Sequence, residues 1–412
     1  MVCLGVSPSK ISFMSKLFSK NIEYDNSRAL ITYKILGLEF IHRISKPLLN
    51  KKFCSGLGIK TMLISRFDGI GDFLLTRPFI KYIKESQKFK DYKIILAGKP
   101  EFVEIAKRYD DKYIDDYITC NFRNTKAYKN LINSASKMYF SIVVNPVDSK
   151  VNTKWEKFVK EVKADAKICH LGFFGHRDMI RYNEVVKKVL NNYTRIIDTG
   201  KAPIFVRDKN KIFFEELIEE KIGELLPLCE LKNCEIDINS DYVIISPFSR
   251  SKIRTYSKTN YAKIIEYITQ NLNLPVMIFG NKAEEKSANE LVSICKNKKM
   301  IYNMAGKLPI TETILYIKRA KLLIANETGT VHIAQNYGVN TVCISNGSYL
   351  NTFQPYPAEE SYITYIYPDN FVEFQINENT LGDLSRMDIN EIPYEKVIEK
   401  INYALNATPK IN

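Results

Sequence analysis

The chain has 412 residues, 45% of them hydrophobic and 26% charged, an ordinary globular balance that is ample for two domains with separate cores. Its formal charge of +14 points to an acidic partner, an anionic membrane surface or a phosphorylated small molecule. The cations are scattered, with no basic tail and no RNP-like aromatic pattern, which disfavours a nucleic-acid module. No apolar run approaches the roughly 20 residues of a membrane span. Lys10, Lys16 and Lys20 interrupt every candidate secretory core, so export is not indicated. The eight cysteines show no C-x-x-C and the four histidines no zinc spacing. Reduced thiols, no metal and a cytoplasmic chain are therefore expected.

Residues 1–58 read as a preamble without strand signals. Within them Leu30, Tyr33, Leu36, Ile41, Ile44 and Leu48 fall at helical spacing among Lys34, His42, Arg43 and Lys46. That spacing predicts a basic amphipathic helix, either lying on an anionic bilayer or packed against the body. From residue 59 to about 220 strands alternate with helices. Strands are expected at 62–65, 94–97, 140–145 and 167–171, and helices at 101–109, 125–137 and 155–163. Pro78 breaks or restarts the helix that follows Asp72. Residues 172–240 are less legible, with helices expected at 180–192 and 211–226 and a domain boundary near 205–240. Residues 221–390 restart the rhythm. Strands are expected at 242–246, 276–279, 300–303, 322–325 and 341–345, and helices at 260–271, 284–296, 311–321 and 330–336, the last stopped by Gly338. Residues 391–412 hold a closing amphipathic helix. Alternating strands and helices imply an α/β protein: two Rossmann-like, doubly wound domains facing a central cleft.

Three stretches could carry chemistry. In the first, Leu63 to Leu75, a buried strand hands over to a helix through Asp68-Gly69-Ile70-Gly71-Asp72. Gly69 and Gly71 can take positive φ and let a ligand approach the backbone. Asp72 stands at or beside the helix start, where a plain capping role is the bland alternative. A dinucleotide fingerprint fails, because Leu74 replaces its third glycine and no acidic residue follows at the expected distance. No P-loop is present either. In the second stretch, Arg250, Lys252 and Arg254 alternate with Ser249, Ser251 and Thr255 at a strand's carboxyl end. Such a loop suits phosphate oxygens, although a solvated charged loop is the commoner outcome. In the third, Asn326-Glu327-Thr328-Gly329-Thr330-Val331-His332, a strand turns into a helix through Gly329. The amides of Thr328, Gly329 and Thr330 would face an anion. Glu327 could hold sugar hydroxyls, with His332 about one turn on.

Together these stretches resemble glycosyltransferase family nine, the ADP-heptose:lipopolysaccharide heptosyltransferases. Its R-x-D-x-I-G-D-x-L-L-T-x-P pattern appears as Arg66, Asp68, Ile70, Gly71, Asp72, Leu74, Leu75, Thr76 and Pro78. Its N-D-S-G-x-x-H-x-A signature appears at Asn326 to Ala334, with Glu327 where the family commonly has Asp. Arg254-Thr255-Tyr256-Ser257 replaces its K-x-W-P. The resemblance implies a GT-B fold and inverting, metal-independent transfer of heptose or a similar sugar. The donor would be a nucleotide-diphosphate sugar, ADP-heptose being one candidate, and no further cofactor is implied. It also implies a lipopolysaccharide or other lipid-linked acceptor and a place on the inner face of the cytoplasmic membrane. By the same carry-over, Asp72 is the general base in a cleft loop with Gly69 and Gly71. Ser249, Lys252, Arg254, Gly280, Glu327, Thr328, Gly329, Thr330 and His332 bind the donor. The rival readings are a non-catalytic GT-B-like nucleotide- or glycan-binding protein and a nucleotide-sugar epimerase-like enzyme.

Overall fold

The computed structural model of the chain describes residues 18–24, 28–35, 38–147, 153–171, 186–200, 204–223, 225, 240–369 and 387–406. Three strands, β1 (Phe18–Tyr24), β2 (Arg28–Ile35) and β3 (Leu38–Ser45), form an antiparallel sheet in the amino-terminal region. The amphipathic helix expected across 29–49 is therefore incorrect. Both strand segments are rich in β-branched and aromatic residues (Ile31, Thr32, Tyr33, Ile35; Phe40, Ile41, Ile44), which suit a pleated surface. Only Leu36 and Gly37 separate the paired residues Ile35 and Leu38, and a glycine in so short a connection is a hairpin signal. These local preferences override a helical spacing that an apolar-rich segment can show by chance.

The body consists of two six-stranded parallel sheets with the same winding. The first holds β4 (Thr61–Arg66), β5 (Lys93–Gly98), β6 (Asp116–Thr119), β7 (Tyr139–Asn145), β8 (Lys163–His170) and β9 (Arg195–Ile197), in the order β6-β5-β4-β7-β8-β9. The second holds β10 (Val243–Ser246), β11 (Val276–Ile278), β12 (Ile301–Asn303), β13 (Leu322–Asn326), β14 (Thr341–Ile344) and β15 (Ile363–Ile366), in the order β12-β11-β10-β13-β14-β15. In each the order reverses beside the first strand, and ligands of such sheets bind outside the strand ends at that reversal. The central strands are buried apolar runs, as parallel pairing requires, and match their expected positions closely. The short strands β6, β9 and β15 are additional to the sequence reading.

The two lobes share a continuous apolar core. Phe73 and Leu74 of the first lobe belong to the same buried cluster as Val331, Ile333 and Ala334 of the second. The interface is reinforced where Thr311 Oγ1 donates to Glu104 Oε1 at 2.8 Å and Tyr337 Oη bonds Tyr109 Oη at 3.1 Å. The helix Val206–Ile218, beginning five residues before the expected 211, ties both lobes. Its first amide donates to Thr352 O at 2.8 Å, and Asn210 Nδ2 donates to Leu75 O at 3.0 Å. The closing helix Tyr394–Asn406 buries Val397, Ile401 and Ala404 against the second lobe. Residues 186–190 of the helix expected at 180–192 are helical, while 180–185, together with His176 and Arg177, lie outside the described residues. Among the described residues no helix is long and apolar enough to cross a membrane.

The stacked pair Phe79–Phe214, with centroids 4.9 Å apart and both rings buried, fastens the linking helix to the first lobe. Phe214→Ala is expected to cost about 3–5 kcal/mol, as large-to-small aromatic core changes do. Urea denaturation of the full chain would measure it, and a loss below about 1 kcal/mol would contradict that anchoring role.

Candidate active site

The motif around Asp72 sits at the strand-order reversal of the first sheet. Strand β4 ends at Arg66, and the Arg66 guanidinium donates from Nη1 to Pro146 O, just beyond β7, at 2.8 Å. The second sheet repeats the device: Asn326 at the end of β13 donates from Nδ2 to Pro247 O, just beyond β10, at 2.6 Å. Asn326 Oδ1 also accepts from Tyr256 N and Tyr261 Oη. Each lobe thus uses a buried polar side chain to fix the crevice where its two inner strands diverge.

After β4 the chain turns into a short helix, Ile70–Leu74, and restarts at Pro78, so Pro78 marks a second helix rather than a kink. Asp72 occupies the third helical position, and its Oδ2 accepts the Gly69 amide at 3.1 Å. Neither glycine uses the positive φ open to it: Gly69 has φ −93°, and Gly71 is not among the positive-φ glycines. Their bare Cα atoms serve close approach instead. A Cβ on Gly69 would collide with the Asp72 carboxylate. A Cβ on Gly71 would stand 2.7 Å from His332 Cδ2, and one on Gly329 would collide with Ile70. The helix Gly329–Asn336 of the second lobe therefore meets the Asp72 helix backbone to backbone.

That contact brings Asp72 and the 326–332 turn together. Asp72 keeps 28% of its side chain exposed, while Glu327 is buried. Burial raises the Glu327 carboxyl above its ordinary range, Arg254 pulls it back, and the charge of Asp72 adds to the rise. Arg254 Nη1 lies 2.9 Å from Glu327 Oε2, and its guanidinium stacks 4.7 Å from the Tyr349 ring. Thr328 occupies the N-cap position of the Gly329–Asn336 helix without a side-chain capping bond, its hydroxyl 2.9 Å from that of Thr330. The amides of Gly329 and Thr330 stand at the positive end of the helix dipole, while that of Val331 already donates to Thr328 O at 3.1 Å. An anion placed there would meet amides, two hydroxyls and the Arg254 charge.

The other expected residues are less convergent. Lys252 is solvent-exposed and Ser249 Oγ accepts the Ser251 amide at 3.4 Å. Gly280 carries the ring of Phe248, which a Cβ would meet at 2.8 Å. His332 is buried, with Nδ1 2.8 Å from Tyr356 Oη, and burial lowers it from 6.5 to about 4. At neutral pH any contact it makes with a donor is that of an uncharged ring. His170 is engaged elsewhere, with Nε2 2.7 Å from Thr199 Oγ1. A cavity of about 730 Å³ lined by Tyr356, Tyr362 and Tyr365 shares only Tyr356 with the residues gathered at this lobe contact.

The sequence reading missed Lys99, Tyr349 and Tyr356. Lys99 directly follows Gly98 at the end of β5, a position that could have flagged it. Its Nζ bonds the Asp68 carbonyl, and burial followed by the nearby Arg250 charge lowers its pKa. The tyrosines come from a distant segment and carried no local signal. Among the described residues no group of three or more His, Cys, Asp or Glu side chains is placed to hold a metal ion.

Two α/β lobes of this winding, meeting at such a cleft, make a GT-B-type protein, and the comparisons with known proteins agree. Residues 187–370 match the model for "Glycosyltransferase family 9 (heptosyltransferase)". The second-lobe motif lies inside that stretch and the Asp72 motif precedes it. The chain is 24% identical over 309 residues to lipopolysaccharide heptosyltransferase 1 of Campylobacter coli, covering 71% of this chain and 86% of that one. It is 25% identical over 289 residues to lipopolysaccharide heptosyltransferase 3 of Escherichia coli K12, covering 64% and 76%. The fold matches the glycosyl transferase family 9 structure from Veillonella parvula at TM-score 0.60 with 15% identity, over 87% of this chain and 98% of that one. It matches E. coli heptosyltransferase WaaC with ADP at TM-score 0.58 with 10% identity, over 84% and 99%. The chain resembles glycosyltransferase family nine in both sequence and fold, and is a glycosyltransferase.

Because His332 is held neutral, it links stability to pH. Above pH 6.5 the contribution is complete; below it the unfolded chain binds a proton that the folded chain refuses until about pH 4. Stability should thus fall by about 3 kcal/mol between pH 6.5 and 4 from this residue. His332→Gln should flatten that slope in urea titrations, and an unchanged slope would contradict it.

Proposed function

We propose that the protein transfers a sugar, with inversion and without a metal, from a nucleotide-diphosphate donor to a lipopolysaccharide or other lipid-linked acceptor. The observation that carries this reading is the position of Asp72 against the Gly329 helix start, one lobe's carboxylate beside the other lobe's anion cradle. In this reading the acceptor hydroxyl gives its proton to Asp72 as its oxygen bonds the anomeric carbon. The bond from that carbon to the phosphate oxygen breaks, and the electron pair leaves with the diphosphate. The first-turn amides, Thr328, Thr330 and Arg254 stabilise the departing charge without a metal. Lys252 and Ser249 would reach the phosphates only after moving inward, and Glu327 would accept sugar hydroxyls as Arg254 turns to phosphate.

ADP-heptose is the donor this reading favours. The relatives named for lipopolysaccharide heptosyl transfer support it, as does the solved WaaC with ADP. The charge of +14 suits an anionic acceptor at the cytoplasmic face of a membrane, with the chain peripheral to it. The two-strand outcome at 28–45 withdraws the amphipathic-helix argument for that location, so charge carries it alone.

Asp72→Asn should leave the fold and donor affinity intact and lower transfer from ADP-heptose to heptose-free lipopolysaccharide by roughly a hundredfold or more, the scale of general-base loss. Product analysis by mass spectrometry would measure it. Near-normal turnover would remove Asp72 as the base, and donor binding without transfer by the wild type would favour a non-catalytic binding protein.

A further inference from the structure

Arg66 is an unusual residue to bury: its side chain is 2% exposed at the end of a central strand. All its nitrogens face fixed groups. Nη1 donates to Pro146 O at 2.8 Å, Nε lies 2.9 Å from Asp68 Oδ1, and Nη2 lies 3.6 Å from Asp72 Oδ1. The Nε–Oδ1 pair is bent out of hydrogen-bond alignment, so both buried atoms lack a hydrogen-bond partner. On the other side of the carboxylate, Gly69 N–H holds Asp72 Oδ2 at 3.1 Å. The two oxygens of Asp72 are thus unequal. Oδ2 is hydrogen-bonded, whereas Oδ1 feels a cation that is too distant to occupy its lone pairs.

We propose that Arg66 and Asp68 form a buried clamp that positions the Asp72 carboxylate and keeps Oδ1 open to receive the acceptor's proton. The inference rests on Asp72 being the base. Asp68 does two things in this clamp. It holds the guanidinium back from Asp72, so the arginine attracts Oδ1 without capping it. When Asp72 becomes neutral on protonation, the repulsion it exerts on Asp68 is lifted, so Asp68 is the counter-charge left to the buried cation. A purely structural ion pair would account for the Arg66–Asp68 and Arg66–Pro146 contacts. It would not account for the third nitrogen facing the one Asp72 oxygen that no amide holds.

The surrounding charges are few. Lys99 bonds the Asp68 carbonyl, with Glu101 on its own helix and Arg250 from the second lobe acting on it. Glu327, itself paired with Arg254, faces Asp72 from the second lobe, and neutral His332 lies beside Gly71. Burial raises Asp68 to about 7, Arg66 opposes this, and Asp72 adds to it, consistent with two carboxyls sharing one cation.

The test compares Asp68→Asn, the double variant Arg66→Met/Asp68→Asn, and Asp72→Asn. Each is assayed from pH 5 to 9 with ADP-heptose and heptose-free lipopolysaccharide, and Asp68→Asn is also crystallised. In Asp68→Asn the freed guanidinium should close on Asp72 Oδ1 to hydrogen-bond distance. Its kcat should fall about tenfold at unchanged donor KM, with the acidic limb of the profile moving to lower pH. If Asp68→Asn does not fold, the double variant, which removes both charges, carries the test: lower kcat at unchanged donor KM, with the acidic limb at higher pH. A wild-type kcat and profile in the folded variant, with Arg66 unmoved, would reduce the clamp to a structural ion pair. Asp72→Asn separates the two claims. If it is inactive while Asp68→Asn behaves as wild type, the clamp alone fails; if Asp72→Asn turns over normally, the base assignment fails.

Discussion

Two glycines with no left-handed geometry hold the molecule's function together. Gly71 and Gly329 lie where helices from opposite lobes meet, and either Cβ would press into the facing lobe. Their absence lets the lobes touch through backbone and through Ile70 and His332. A side chain at either point would separate the Asp72 carboxylate from the start of the Gly329–Asn336 helix. Charge follows from this contact: Asp72 is close enough to act on Glu327, and Arg254 pairs with Glu327.

The lobes position their halves of the site by parallel means. Each sheet reverses its strand order beside its first strand, and each bridges the gap with a buried side chain reaching a proline carbonyl: Arg66 to Pro146 and Asn326 to Pro247. The difference between the bridges matters. Asn326 is neutral and fully satisfied by Pro247, Tyr256 and Tyr261, so it is scaffold. Arg66 carries a charge that the scaffold only partly uses, and the remainder faces Asp72.

Much of this was legible in the sequence, for physical reasons. Central parallel strands are buried on both faces and appear as short apolar runs, so β4, β5, β7, β10, β13 and β14 stood out. The edge strands β6, β9 and β15 did not. Asp116-Tyr117-Ile118-Thr119 and Arg195-Ile196-Ile197 are short and half polar because solvent reaches them. The 28–45 hairpin was mistaken for a helix because its apolar residues also fit a 3.6-residue spacing, while β-branching and Gly37 carried the better signal. In the candidate site, two local motifs singled out Asp72 and the 326–332 turn, which the fold brings together. What sequence could not show was that Arg254 is already paired with Glu327, or that Tyr349 and Tyr356 arrive from a segment with no motif.

In the proposed reading, the leaving-group site is built from this chain's own amides and side chains. The cleft's charges are balanced in pairs before any ligand arrives, Arg66 with Asp68 and Arg254 with Glu327, so an incoming diphosphate must compete for Arg254 rather than find it idle. The most direct measurement is a crystal structure of the full chain with an unreactive ADP-sugar analogue. The account predicts the diphosphate on the first-turn amides of the Gly329–Asn336 helix, Arg254 turned toward it, and the anomeric carbon facing Asp72 Oδ1. A diphosphate bound away from that turn, or an anomeric carbon facing a different carboxylate, would contradict it.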